Sequence, residues 1–104
     1  MQNANPARKN QKLLKSKADF SREQLADLLE NLATRIREGE MTIGTGDAAL
    51  GMKLPGTIRT TMEVTDSRKR RGIERELELE LSWYVDDAGV PVDTASPVSG
   101  FAVS

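Results

Sequence analysis

The sequence predicts an α+β domain in which one amphipathic helix packs on an antiparallel β-meander of about four strands. Three observations lead to this prediction: an apolar stripe at helical spacing behind a capping motif, a change of the hydrophobic period from 3.6 to 2 after Gly39, and a long final strand with one apolar face. The chain has 104 residues, which is enough for one small domain.

The helix is predicted from Arg22 to Glu38, where apolar residues recur three and four positions apart. These residues are Leu25, Leu28, Leu29, Leu32 and Ile36. At its start, Ser21 and Gln24 are spaced to form a capping box, in which each side chain accepts a hydrogen bond from the other residue's backbone N–H. Phe20 is placed to form a hydrophobic staple with the first leucine. Gly39 is expected to end the helix in the left-handed conformation.

Beyond the helix, alternating apolar and polar residues predict strands that each present one face to a core. Strands are expected at four places: residues 41–43, 48–54, 58–65 and 73–85. The last strand places leucines and Trp83 on one face and glutamates on the other. Arg75 is the exception on the apolar face, and its long side chain is expected to extend to water.

The pairing of the last two predicted strands follows from which residues share a face. For Met62 to lie on the same face as Leu79, the numbers of paired residues must sum to an odd number. Two such registers place Arg59 opposite Glu78 or opposite Glu80, and either would be a favourable cross-strand pair. We therefore expect the glutamates to face solvent and to pair with basic side chains such as Arg59.

Both ends of the chain are predicted to lie outside the folded domain, which is assigned to residues 19–85. Residues 1–18 are predicted to form a basic, flexible N-terminal arm, within which residues 11–18 alternate in a way that also suits a short edge strand. Residues 86–104 carry Pro and Gly throughout and follow neither period, so a disordered tail is expected.

The composition excludes several kinds of site. The chain has no cysteine and no histidine, which removes thiol nucleophiles, disulfides, and the commonest general base and zinc ligand. We therefore predict that the protein is not an enzyme and that it holds neither a cofactor nor a metal ion. The basic N-terminal residues are not followed by the sustained apolar stretch of a signal peptide, and no segment is long enough to span a membrane. We therefore expect a cytoplasmic protein without a membrane partner.

Two patterns that superficially suggest chemistry have simpler interpretations. The glycine-rich run at residues 44–51 lacks the following helix and the lysine that a phosphate-binding loop needs, so a hairpin turn is favoured. Alternate glutamates of the last strand lie about 6–7 Å apart, too far to share a proton, and they are expected to face solvent. Neither pattern supports a catalytic or metal site.

The order of these features resembles a known family. The pattern consists of Ser-Arg-Glu-x-x-Ala at residues 21–26, Gly-Glu-x-x-Ile at 39–43 and Glu-Leu-Glu-Leu-Glu-Leu-Ser-Trp at 76–83. It is similar to the amphi-Trp domain, a small bacterial and archaeal domain of unknown function named for its amphipathic terminal strand ending in Trp. The likeness spans about residues 15–83, and the final strand is its most specific part. The resemblance implies the fold and a prokaryotic source, and it supplies no catalytic residue.

Clustered cations are the strongest candidate for a binding site. The candidates for anion binding are Arg68, Lys69, Arg70 and Arg71 in the last predicted loop, and Lys12, Lys15 and Lys17 in the N-terminal arm. Such a patch would engage phosphates. The competing interpretation is a solvated loop whose charges discourage aggregation of strand edges. The net charge of −1 argues against a dedicated nucleic-acid binder, and the lack of aromatic residues in the loop gives no reason to expect base recognition.

Trp83 and Tyr84 are expected to point to opposite faces of the last strand. Trp83, like Phe20, is assigned a structural role, whereas Tyr84 should be exposed and is a candidate contact for a partner. We therefore expect a non-enzymatic interaction module that binds an unknown protein partner or a second copy of itself. The alternative is a module that binds a polyanion or nucleic acid through the basic loop and the N-terminal arm.

Overall fold

The computed structural model describes residues 10–93 and 100–104, and over these residues it contains one helix and six strands. The helix is α1 (Arg22–Glu38). The strands are β1 (Glu40–Ile43), β2 (Leu50–Lys53), β3 (Arg59–Lys69), β4 (Gly72–Ser82), β5 (Tyr84–Val85) and β6 (Pro91–Val92). The α+β class is therefore confirmed, although the antiparallel strands form three two-stranded sheets, β1–β2, β3–β4 and β5–β6, rather than one meander.

The chain divides into two compact units, with the boundary between Met52 and Lys53. Half of the predicted N-terminal arm, residues 1–9, and residues 94–99 of the predicted tail lie outside the described residues. Residues 10–21 form neither helix nor strand, so the short edge strand considered for residues 11–18 is not formed.

Helix α1 has the bounds that the sequence predicts, because side chains and a glycine satisfy the backbone groups at both ends. Ser21 Oγ accepts from the Gln24 N–H at 3.1 Å, and Gln24 Oε1 accepts from the Ser21 N–H at 3.0 Å. Gly39 ends the helix at φ 84°, and its N–H donates to the carbonyl oxygens of Arg35 and Ile36. The predicted capping box and the left-handed glycine are both confirmed.

The apolar stripe of α1 is only partly buried within its unit. Leu25, Leu28 and Leu29 are 44%, 48% and 46% exposed, whereas Leu32 is half-buried. Met41, in β1 directly after the helix, is the only buried hydrophobic side chain among the residues that the structure describes. The first unit therefore has a small core next to the junction of α1 and β1.

The connection between β1 and β2 contains a short 3-10 turn, Gly46–Ala48, which delays the start of β2 relative to the predicted strand. Gly44 precedes this turn at φ 92°. A Cβ atom at Gly44 would lie 3.1 Å from the Ala48 carbonyl oxygen and 3.4 Å from Leu14 Cδ1. Because the backbone conformation is left-handed and the space is narrow, this position favours glycine.

Strands β3 and β4 form a long antiparallel hairpin in the second unit. Met62 pairs with Leu79 and Val64 with Leu77, which confirms that paired residue numbers sum to an odd number. Arg59 lies opposite Ser82, so both predicted partners of Arg59 were wrong. The reason is the connection, because β3 and β4 are joined by only two residues, and the length of a hairpin turn sets the register of the whole ladder.

The predicted last strand is interrupted at Trp83, which lies between β4 and β5. Tyr84 pairs with Val92, and a turn between β5 and β6 brings the two short strands together. Asp86 Oδ1 accepts from the N–H groups of Ala88 and Val90, each at 2.9 Å, and Gly89 follows at φ 82°. The segment from residue 86, predicted to be a disordered tail, therefore begins with a hydrogen-bonded turn and a short strand. The Asp86 side chain stabilises the turn because it accepts hydrogen bonds from backbone N–H groups within it.

Candidate interaction surface

The β3–β4 hairpin has one apolar face that is largely exposed. We define the apolar hairpin face as Met62, Val64, Leu77, Leu79 and Leu81, which occupy the same side of successive register positions. Val64, Leu77 and Leu79 are 62%, 65% and 51% exposed. Exposed aliphatic side chains in a continuous row are characteristic of a contact surface rather than of scattered surface residues.

An ion pair borders the apolar hairpin face on the side of the β3–β4 turn. Arg75 Nε and Nη2 donate to Asp66 Oδ1 and Oδ2 at 2.7 Å and 2.9 Å, in the two-pronged geometry that suits guanidinium and carboxylate. The hydrogen bond from Arg75 holds the pKa of Asp66 below its ordinary value, and Asp66 raises the pKa of Arg75. Arg75 therefore has a cross-strand partner, whereas the sequence predicted only that it extends to water.

The opposite side of the hairpin is acidic. We define the acidic hairpin face as Glu63, Glu74, Glu76, Glu78 and Glu80. Glu63 lies directly opposite Glu78, and the pKa of Glu78 is raised first by the charge of Glu76, then by partial loss of hydration and by Glu63. The expected pairing of these glutamates with Arg59 is not formed, because the register places Ser82 there instead.

The glutamates of the acidic hairpin face do not form a group that could hold a metal ion. The five glutamates are exposed, so their charged forms keep most of their hydration. Over residues 10–93 and 100–104, no group of three or more acidic side chains is arranged to hold a metal ion. The face is therefore best described as a charged, solvent-facing surface.

The turn between β3 and β4 carries the cations that the sequence singled out. We define the basic tip as Arg68, Lys69, Arg70 and Arg71, of which the last two form the turn itself. All four are exposed. Lys69 Nζ lies 3.9 Å from Glu74 Oε1, and residues 69–74 line a shallow open depression. Three further candidate cations are also exposed but belong to the first unit: Lys12, Lys15 and Lys17. They are therefore not part of the basic tip.

The two aromatic residues at the end of the hairpin differ in exposure. Trp83 is half-buried, whereas Tyr84 is 75% exposed, as the sequence predicts for a residue that can contact a partner. A further contact was missed: the Gly56 N–H donates to Asp93 Oδ1 at 2.9 Å and joins the loop before β3 to the residue after β6. These residues are 37 positions apart, and no periodic pattern in the sequence indicates such a contact.

Comparison with known proteins gives one match. The sequence model of the Amphi-Trp domain matches residues 7–102, a longer stretch than the likeness to residues 15–83 noted in the sequence. No curated protein and no solved structure matches the chain. Within the described part of the chain, no helix is long and apolar enough to cross a membrane.

Proposed function

This chain belongs to the Amphi-Trp domain family, and on that premise we propose that it is a non-enzymatic interaction module whose partner is a second copy of itself. The observation that carries the proposal is the exposure of the apolar hairpin face. A two-stranded hairpin is at best marginally stable in water unless its apolar face packs against another layer. An ordered hairpin of 11-residue strands therefore calls for a partner on that face.

The magnitude of the hydrophobic contribution indicates a weak dimer. Val64, Leu77 and Leu79 are between 51% and 65% exposed, so covering each would contribute about 1 kcal/mol, half the value of complete burial. Two copies together would gain about 6 kcal/mol from these positions. Met62 and Leu81, the half-buried members of the same face, add to this gain, and the loss of translational and rotational freedom on association opposes it. We therefore expect a dimer whose population depends strongly on concentration.

The distribution of charge favours a second copy over a charged partner. The apolar hairpin face carries one ion pair near its border, and Asp66 and Arg75 neutralise each other within the same hairpin. Two such faces can meet around a two-fold axis without bringing unpaired like charges together. The acidic hairpin faces of two copies could not meet in this way, because each carries five carboxylates.

The non-enzymatic part of the proposal is supported by the chemistry available to the chain. The sequence contains no histidine and no cysteine, and the carboxylates of the hairpin are exposed. Acid–base catalysis at neutral pH normally needs a group whose pKa is moved toward neutrality by burial. The pKa of Asp66 is shifted in the opposite direction by its ion pair with Arg75, and the pKa of Glu78 is raised first by the charge of Glu76 rather than by burial.

The proposal is tested by sedimentation of the full chain from micromolar to millimolar concentration. Leu77→Lys places a charge in the centre of the apolar hairpin face, and we expect this variant to remain monomeric. Thr65→Lys is the matched control, since it adds the same charge on the opposite face, across from Glu76. We expect this control to associate like the unmodified chain.

Two further measurements keep the test decisive if Leu77→Lys fails to fold. Leu77→Ala removes most of the side chain without adding a charge, and it should raise the dissociation constant about tenfold. The melting temperature of the unmodified chain should rise with protein concentration if folding and association are coupled. A chain that is monomeric throughout, with a melting temperature independent of concentration, would contradict self-association.

Because β4 ends at Ser82, the alternation that would place Tyr84 on the side of the glutamates does not extend into β5, and we propose Tyr84 as an additional contact of the same interface. It is 75% exposed and follows β4 by two residues, and tyrosine is enriched in the centres of protein interfaces. Tyr84→Ala should weaken the dimer less than Leu77→Lys does, because it removes a contact without introducing a charge. A dissociation constant unchanged by Tyr84→Ala would remove this residue from the interface.

A further inference from the structure

The basic tip has the opposite charge to the acidic hairpin face of the same two strands. Arg70 and Arg71 form a two-residue turn at the end of the ladder, with Arg68 and Lys69 in the adjoining positions of β3. Gly72 follows at φ 135°, a backbone conformation that glycine adopts without strain. The tip therefore holds four consecutive cations at the end of a narrow two-stranded ribbon.

The ion pairs of the hairpin do not neutralise most of the positive charge of the basic tip. Asp66, the nearest carboxylate in β3, is bound by Arg75. Lys69 is within 3.9 Å of Glu74, a long and exposed contact. Over the described residues, no carboxylate lies within 4.0 Å of a nitrogen of the three tip arginines, Arg68, Arg70 and Arg71.

The acidic hairpin face does not cancel the charge of the tip at physiological salt. Each strand residue adds about 3.3 Å, so Glu78 lies about 20 Å along β4 from Gly72. The screening length at physiological ionic strength is about 8 Å. Glu74 and Glu76 are the glutamates close enough to reduce the potential, and they are outnumbered by the four cations.

From this geometry we propose that the basic tip binds the phosphodiester backbone of a nucleic-acid duplex, without recognising its bases. The end of a two-stranded β-ribbon is narrower than the major groove of duplex DNA, which is about 12 Å wide, so the tip can approach the phosphates of both strands end-on while most of the acidic hairpin face stays outside the groove. The tip carries no aromatic side chain. Since proteins that hold single strands usually stack bases on aromatic rings, the tip is suited to the duplex.

Salt dependence measures the number of phosphates engaged. Each phosphate neutralised contributes about −0.9 to the slope of log affinity against log salt. Three arginines alone would give a slope of about −2.7, and all four cations about −3.6. Affinity should therefore fall between about 40-fold and about 150-fold when the salt concentration rises from about 50 mM to about 200 mM.

The experiment measures the fluorescence anisotropy of a labelled random-sequence DNA duplex with the full chain. The tip variant is Arg70→Gln combined with Arg71→Gln. The matched control is Arg22→Gln combined with Lys53→Gln, which removes the same two charges from exposed positions outside the tip. Circular dichroism checks that both variants remain folded.

We expect the tip variant to bind more weakly than the control, with a salt slope reduced by about 1.8, and the control to bind like the unmodified chain. A scrambled duplex should bind equally well, and a single strand of the same length more weakly. Equal effects of the two variants, a slope unchanged in the tip variant, or no binding by the unmodified chain at about 50 mM salt would overturn the proposal. Tighter binding of the single strand would overturn the assignment to the duplex.

Discussion

Glu63 lies directly opposite Glu78 across the β3–β4 hairpin, so two carboxylates share one position of the register. Like charges in directly opposite positions destabilise a strand pair. The pKa of Glu78 is raised from its ordinary value of 4.5, with Glu76 as the largest cause and Glu63 as a further one. The hairpin therefore maintains an unfavourable charge at neutral pH.

Glu78→Gln should stabilise the fold slightly at neutral pH, because it removes this repulsion without changing the size of the side chain. A group with a raised pKa in the folded state binds its proton more tightly when folded, so the stability lost at neutral pH returns as pH falls through that pKa. The advantage of the variant should therefore shrink as the pH approaches 4.5. Thermal unfolding at several pH values measures the difference.

The matched control for this prediction is Glu80→Gln, which removes one charge from a glutamate that lies opposite Thr61 instead of another glutamate. It should raise the melting temperature less than Glu78→Gln does. An equal or larger rise with Glu80→Gln would show that the glutamates of the same strand or the total charge, rather than the opposed pair, determine the effect.

Asp66→Asn should destabilise the hairpin modestly, because it removes the carboxylate that Arg75 binds through two hydrogen bonds. The pKa of Asp66 is lowered in the folded state, so its contribution is present above its ordinary value of 3.8 and is lost as pH falls through the folded pKa. Both side chains are substantially exposed, so the effect should be small and should decrease with added salt.

A double-mutant cycle isolates the ion pair from other effects of the substitutions. Asp66→Asn, Arg75→Gln and the double variant are compared by denaturant unfolding. The double variant should lose less stability than the sum of the two single variants. Strictly additive losses would mean that the pair contributes nothing beyond the separate side chains.

Ser21→Ala should lower the stability of the first unit by about 1 kcal/mol, because it leaves the Gln24 N–H without its side-chain acceptor. Ser21→Thr retains the acceptor and should cost less. Helix ellipticity at increasing denaturant concentration measures both variants. The capping box would be irrelevant to stability if alanine and threonine gave the same unfolding curve.

Gly72→Ala should destabilise the hairpin by about 1–2 kcal/mol, since it places a side chain at φ 135°. The space around Gly72 is open, so the cost comes from the backbone and not from collisions. Gly51→Ala is the matched control, because its added Cβ would meet only Thr42 Oγ1 at 3.8 Å and its φ is not in the left-handed range. The control should change stability by less than about 1 kcal/mol in either direction.

The sequence predicts the helix more completely than the strands, because the signals for α1 are local. Ser21, Gln24 and Gly39 act within one turn of the residues that they cap, and no distant contact is needed to place them. The hairpin register depends instead on which two residues form the turn. Because Arg70 and Arg71 form the turn, the register places Arg59 opposite Ser82 and not opposite a glutamate.

The candidate surfaces were predicted in part. Alternation correctly divides the apolar and acidic sides of the hairpin, but the Asp66–Arg75 pair follows only from the observed register. The β5–β6 turn had a usable signal, because Asp86 and Gly89 are residue types that favour tight turns. The Gly56–Asp93 contact had none, since its partners are 37 positions apart and neither belongs to a periodic segment.

Trp83 is the only tryptophan of the chain, and Tyr84 is the only tyrosine. Both lie in the second unit, whereas the only α-helix of the described residues lies in the first. Tryptophan emission therefore monitors one unit and helix ellipticity monitors the other, without any added label. If the two signals change at the same denaturant concentration, the units unfold as one cooperative system, and if they separate, each unit has its own stability.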